Sequence, residues 1–199
     1  MVIYKKFDAQ GNSIRFKAQL IARGFTQIPG VDYRETFSPT LKLTSLRLIF
    51  AITAYLNLEL HHVDIETTFL HEDLKEDIYM EQPPILQDSA HPDYECKLHK
   101  PLYGLKQSPR QWYAKLHTFL RHKGFIQLQL EPTLYIRKQD SNFLLLGVYV
   151  DELPVAGTSR HDILQFVKEL QTFPPRTLEN LNTWSRSQSQ YGNPLHLPK

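Results

Sequence analysis

A mixed fold of helices and turn-joined strands is what this sequence predicts, on three observations. Ile3 to Phe7 and Ile14 to Ile21 alternate apolar with polar residues on either side of a Gly-containing turn, a hairpin pattern. Two stretches, beginning near Ser45 and near Pro109, repeat apolar residues at helical spacing. Phe143 to Val150 is an apolar run that meets Asp151 and Glu152 and resumes at Val155-Ala156, which reads as a strand, an acidic turn and a returning strand.

Taken in order, the first hairpin turns through Asp8-Ala9-Gln10-Gly11-Asn12, and Lys5, Lys6, Arg15, Lys17 and Arg23 make it basic. Residues 22–33 read as a loop with Pro29-Gly30 as its turn signal. Leu46, Ile49, Phe50 and Thr53 then share one face, so a helix follows, capped by Thr44 or Ser45 and ended by Asn57. Leu58 to Ile65 alternates as a strand and brings Asp64 to its carboxyl end. Ile78-Tyr79-Met80 and Cys96-Lys97-Leu98 are short strands on either side of a proline-punctuated loop. Ser108 as N-cap and Pro109 at the first helical position start a second helix, with an apolar stripe of Trp112, Tyr113, Leu116, Phe119 and Leu120 and a close at Gly124. That aromatic stripe reads as core rather than as a base-stacking surface. Phe125-Ile126 and Thr133 to Arg137 are further short strands, and His161 to Leu170 is an amphipathic helix. After Thr172 neither period continues, and the Ser/Gln/Asn-rich run from Asn182 to Asn193 predicts no stable packing.

With 41% hydrophobic and 12% aromatic residues the composition is that of a chain with a packed core, not of a disordered one. A single cysteine, Cys96, excludes an internal disulfide. Neither a charged apolar leader nor a run of eighteen apolar residues occurs, which predicts an intracellular protein, cytoplasmic or nuclear, with no membrane partner. The net charge of +2 hides a segregation: residues 1–49 carry eight Lys/Arg against three Asp/Glu, residues 58–95 one against eleven, and residues 97–124 seven against none. Basic and acidic blocks in alternation suit a polyanion and a divalent cation, and solvated faces are the plainer alternative.

The acidic turn is the candidate metal seat. Two adjacent carboxylates repel each other unless a cation lies between them. A plain polar turn remains the alternative on those residues alone. His61 and His62 do not make a zinc site together, because neighbouring strand residues point to opposite faces.

These stretches are joined by Lys17 to Gly24, Gly30-Val31-Asp32-Tyr33, Thr36-Phe37-Ser38-Pro39, Val63-Asp64-Ile65, Phe69-Leu70-His71, Tyr79-Met80-Glu81-Gln82-Pro83, the run from Leu102 to Trp112, and Tyr149-Val150-Asp151. In that order and spacing they resemble the Ty1/copia-type reverse transcriptase domain of retrotransposon Gag-Pol polyproteins, from about residue 2 to residue 171. The resemblance implies an α+β fold, the fingers and palm of a right-hand polymerase with an antiparallel palm sheet and no thumb. It implies a partial domain over 1–171 and a divergent, unstructured tail over 172–199. The implied activity is RNA-directed DNA polymerisation, a nucleotidyl transfer onto a primer 3′-hydroxyl assisted by two Mg²⁺ ions, with Mn²⁺ as a substitute. Its partners are an RNA or DNA template with primer and deoxynucleoside triphosphates. The thumb, ribonuclease H and integrase regions of the polyprotein are expected outside this chain.

Carried over by position, Asp64 and Asp151 match the family's metal-binding aspartates, and Glu152 stands where the family has a second hairpin aspartate. Phe69 matches the aromatic gate against a ribose 2′-hydroxyl, and Lys17 and Arg23 match the basic residues that hold the triphosphate. Tyr103, Gly104, Lys106 and Ser108 match the loop and helix start that shape the nucleotide and template pocket. Gln19 replaces a residue that is usually basic. The added methylene of Glu152 displaces its carboxylate by roughly an ångström, which predicts a loss of about a hundredfold. Pro154 removes a ladder donor and is expected at an edge or bulge. A non-catalytic remnant that at most binds nucleic acid is the alternative reading.

Overall fold

The computed structural model describes residues 2–8, 10–65, 74–171, 173 and 185–187. In chain order the elements are β1 (Val2–Phe7), β2 (Ser13–Gln19), α1 (Leu43–Tyr55), β3 (Glu59–Asp64), β4 (Ile78–Glu81), β5 (Glu95–Leu98), α2 (Ser108–His122), β6 (Ile126–Gln127), β7 (Leu134–Gln139), β8 (Asn142–Gly147), β9 (Glu152–Gly157), α3 (Arg160–Gln171) and β10 (Ser185–Ser187). They fall into two compact units that interleave along the chain. Met1–Arg34, Asp73–Lys106 and Leu178–Lys199 make the first, and Glu35–Glu72 with Gln107–Thr177 the second.

In the first unit β1 and β2 pair antiparallel from Val2↔Gln19 onward. Their turn is closed by Asp8, whose carboxylate accepts the Gln10 N–H at 3.0 Å and the Asn12 N–H at 2.7 Å, an Asx-type turn. The bond from Asn12 holds the Asp8 carboxyl below its ordinary pKa. Strands β4 and β5 pair antiparallel, and β10 lies on the other edge of β5. The proline-punctuated loop between β4 and β5 is tied by one side chain: Gln82 Nε2 donates to the carbonyls of His91 and Tyr94 at 2.8 and 2.7 Å, and its Oε1 accepts the Asp88 N–H at 2.7 Å. Among the described residues, Ala22, Ile78, Leu98, Leu102 and Leu105 are the buried apolar ones of this unit.

The second unit is built on a five-stranded antiparallel sheet of order β3-β9-β8-β7-β6, so the expected antiparallel sheet is present. Strands β8 and β9 are buried on both faces, which is why they read as near-continuous apolar runs. Leu145 and Ala156 pair across the ladder and pack with Ile49 of α1 on one face. Gly157, opposite Leu144, faces Ile163 of α3 on the other. Arg137 of β7 is buried beneath α3, 4.9 Å from the Phe125 ring centroid and 5.5 Å from that of Phe166, with Glu169 Oε2 at 3.5 Å. Phe173, two residues past the boundary expected at Gln171, stacks on Phe119 at 4.2 Å between ring centroids.

Three local expectations are revised. Helix α1 starts at Leu43 with Lys42 at the cap position, and Ser45 Oγ instead donates to Glu131 Oε2 at 2.8 Å. Ser108 is the first residue of α2 and Gln107 takes the cap position, a one-residue difference at a helix end. Pro154 lies in the interior strand β9, between β3 and β8, rather than at a sheet edge. The β8–β9 pairs Leu144↔Gly157, Leu145↔Ala156 and Leu146↔Val155 stop just short of it, so the missing N–H falls in a gap of the ladder. The C-termini of α1 and α2 match their sequence signals. Asn57 at φ 50° and Gly124 at φ 80° take the left-handed position, with Leu58 N–H on Thr53 O and Phe125 N–H on Leu120 O, each at 2.9 Å.

Candidate active site

Strand β3 delivers Asp64 at its carboxyl end, and β9 delivers Glu152 at its start. The antiparallel register sets these two residues directly opposite each other. Directly opposed side chains share a face of the sheet, and like charges so placed destabilise it. Both are exposed, where a cation can reach them. Asp151 sits one residue earlier, in a two-residue hairpin loop closed by Tyr149 N–H on Glu152 O at 2.9 Å and Glu152 N–H on Tyr149 O at 2.8 Å. Asp151 O in turn accepts the N–H of Ile65, the residue after Asp64, at 2.9 Å. The three carboxylates expected to act together thus arise from adjoining backbone, although the spacing between residues 64 and 151 says nothing of it. The acidic turn is Val150-Asp151, and Glu152 belongs to the returning strand.

Of the two loop residues, Val150 alone has a positive φ, at 54°. Glycine is the usual residue at the first central position of such a hairpin, and a β-branched side chain there stores on the order of 1–3 kcal/mol. The Val150 carbonyl accepts the Nε1–H of Trp112 at 2.9 Å. Trp112 is buried, as the apolar stripe of α2 predicts, but its role at the hairpin was missed. The signal was available: a buried indole N–H requires an acceptor.

The carboxylates suit a hard divalent cation in kind and in backbone placement. Among the described residues no three His, Cys, Asp or Glu side chains converge closely enough to hold one as they stand. Glu152 Oε2 lies 3.7 Å from Nε2 of His62, which neighbours Asp64 along the same face of β3. A groove of about 640 Å³ runs beside the hairpin along α1 and β3 and includes Glu152 alone of the expected site residues. Leu41, Leu43, Leu46, Phe50 and Leu60 make it apolar, unsuited to phosphate or to a bare cation.

A second group of expected residues meets in the first unit. Ala22 N–H donates to Tyr103 O at 2.8 Å, Ile21 bridges Tyr103, and Lys106 N–H donates to Gln27 Oε1 at 2.8 Å. The exposed Arg23 and Lys106 therefore belong to one structure with Tyr103 and Gly104. Gly24 and Gly104 make this approach possible, for a Cβ on Gly24 would collide with the Gly104 carbonyl and one on Gly104 with that of Ala22. Lys17 stands in β2 opposite Tyr4. Ser108 is 1% exposed at the head of α2 in the second unit. Phe69 lies outside the described residues.

Comparison with known proteins bears on the family of the chain. The family described as reverse transcriptase (RNA-dependent DNA polymerase) matches residues 1–184. The chain is 41% identical over 156 residues to the retrovirus-related Pol polyprotein from transposon TNT 1-94 of Nicotiana tabacum, covering 78% of this chain and 12% of that protein. It is 38% identical over 156 residues to the Pol polyprotein from transposon RE2 of Arabidopsis thaliana, covering 78% and 11%. The transposon Ty1-BL Gag-Pol polyprotein of Saccharomyces cerevisiae is 33% identical over 104 residues, covering 52% and 6%. The chain thus spans about an eighth or less of these relatives. No solved structure matches.

Proposed function

The chain belongs to the reverse transcriptase (RNA-dependent DNA polymerase) family, and from that premise we propose that it is the fingers and palm of a Ty1/copia-like polymerase. Its reaction is extension of a primer 3′-hydroxyl from deoxynucleoside triphosphates on an RNA or DNA template. The observation that carries this reading is the register of Asp64 against Glu152, with the Ile65 N–H bonded to Asp151 O. It brings three carboxylates from two strand ends and one turn onto adjoining backbone.

In this reading Asp64, Asp151 and Glu152 would hold Mg²⁺ or Mn²⁺, which would supply charge compensation for phosphoryl transfer. Lys17 and Arg23 hold the triphosphate by charge. Tyr103, Gly104, Lys106 and Ser108 form the loop and helix start against which nucleotide and template lie. Phe69 excludes the ribose 2′-hydroxyl. In this reading the fingers and palm span residues 1–171, and residues 172–199 are a divergent tail that nonetheless contributes β10 to the first unit. Beyond template and nucleotide, the partners are the remaining polyprotein domains, the thumb first among them.

The second reading, a remnant that binds nucleic acid without catalysis, is favoured by one feature: the Glu152 carboxylate lies 3.7 Å from His62 Nε2. Primer extension with Mg²⁺ or Mn²⁺, run beside Asp64→Ala, separates the two. The polymerase reading expects extension that falls to background in the variant. No extension, together with Mn²⁺ binding that is the same in both proteins, reduces it to ancestry.

A further inference from the structure

Trp112 is 2% exposed within the apolar stripe of α2, yet its Nε1–H reaches out of that stripe to Val150 O at 2.9 Å. The Val150 carbonyl belongs to the peptide that leads into Asp151. The peptide that leaves Asp151 is held through its own carbonyl by the Ile65 N–H, also at 2.9 Å. Both peptide planes that flank the Asp151 α-carbon are therefore fixed from outside the hairpin, one by α2 and one by the residue after Asp64. Fixing both planes fixes φ and ψ of Asp151, and with them the direction in which its carboxylate leaves the backbone. The two Tyr149–Glu152 bonds close the loop but leave the Val150–Asp151 peptide free to rotate. A valine at φ 54° is the residue least suited to keep that peptide in place unaided.

We infer that Trp112 is a positioning residue for the metal carboxylates: its indole N–H holds the strained Val150 peptide and thereby aims Asp151 toward Asp64. The inference rests on the reading of Asp64 and Asp151 as metal ligands. It gives α2, which contributes no carboxylate, a part in the metal site. A side chain that merely filled the core would need neither the donor nor its direction.

Trp112→Phe tests it in the full chain, because it keeps a buried aromatic ring and deletes the donor. Backbone amide exchange and Mn²⁺ affinity by titration are the readouts. Phe166→Leu, on α3, is the control for general loss of stability. The expected result is that exchange at the Glu152 and Ile65 amides rises about three- to tenfold in Trp112→Phe, in keeping with the loss of one hydrogen bond. Exchange in the β7–β8 ladder stays level, and Mn²⁺ affinity falls by a similar factor. Adding Val150→Gly, which accepts a positive φ without strain, should return part of both losses. The inference is overturned if the hairpin amides do not respond, if Phe166→Leu moves them equally, or if they respond while an Asp64-dependent Mn²⁺ affinity does not. Mn²⁺ binding that ignores Asp64 in the unsubstituted chain counts against the polymerase reading instead, and the amide exchange still decides whether Trp112 holds the hairpin.

Discussion

Glu152 heads β9 opposite Asp64, and its longer arm places the carboxylate 3.7 Å from His62 Nε2. An aspartate at that position has one methylene less with which to reach along the strand, so its oxygens stay nearer Asp64. Glu152→Asp is therefore expected to raise Mn²⁺ affinity and to raise the extension rate by about ten- to a hundredfold, with template affinity unchanged. Mn²⁺ titration and single-turnover extension check it. An unchanged rate moves the limitation to the ladder gap at Pro154 or to segments beyond these residues. At this scale the sequence was informative about residue type and poor about direction. The positions of Asp64 at the end of β3 and of Asp151 in the hairpin turn were legible because apolar strand patterns break at them. Trp112 was not, because an apolar stripe records where a side chain is buried and not where its single polar atom points.

Helix α1 shows the same division one level up. Its C-terminus was legible because the signal is local: Asn57 tolerates the left-handed φ of 50° that lets Leu58 N–H reach Thr53 O. Its N-terminus was misplaced because the partner there is tertiary. Glu131, far along the chain, accepts from Ser45 Oγ at 2.8 Å and from Thr133 Oγ1 at 2.9 Å, with Lys42 Nζ at 3.7 Å. The bond from Ser45, with smaller help from Thr133 and Lys42, holds the Glu131 carboxyl below its ordinary pKa. A depressed folded-state pKa contributes stability above the ordinary carboxylate range, and that contribution is lost as pH falls through the folded value. Glu131→Gln should therefore cost about 1 kcal/mol at pH 7, and its melting curve should converge on that of the unsubstituted chain toward pH 3. Thermal melts across that range check the sign. A deficit that widens on acidification contradicts it.

Over the whole molecule, the charge blocks were legible and the division into units was not. Unit membership switches along the chain after Arg34, Glu72, Lys106 and Thr177, and no composition change marks those positions as joints. The basic blocks predict nucleic-acid binding through phosphates, with affinity that falls steeply with salt and shows little sequence preference. Several of the cations are already engaged, among them Lys97 with Asp77 at 2.6 Å and Arg110 with Glu35. Removing Arg23 or Lys106, both exposed, should accordingly flatten the slope of log K against log salt by about one phosphate each, and Arg110→Ala should flatten it less. Filter binding from low to physiological salt measures this, and affinity that ignores salt rules out the phosphate mode. The Gly24–Gly104 approach has a different kind of consequence, in heredity rather than in chemistry. That seam is held by atoms that are missing, and every substitution of a glycine adds atoms. A substitution at either glycine wedges the seam open, so this packing would be lost even in a chain that keeps all three carboxylates.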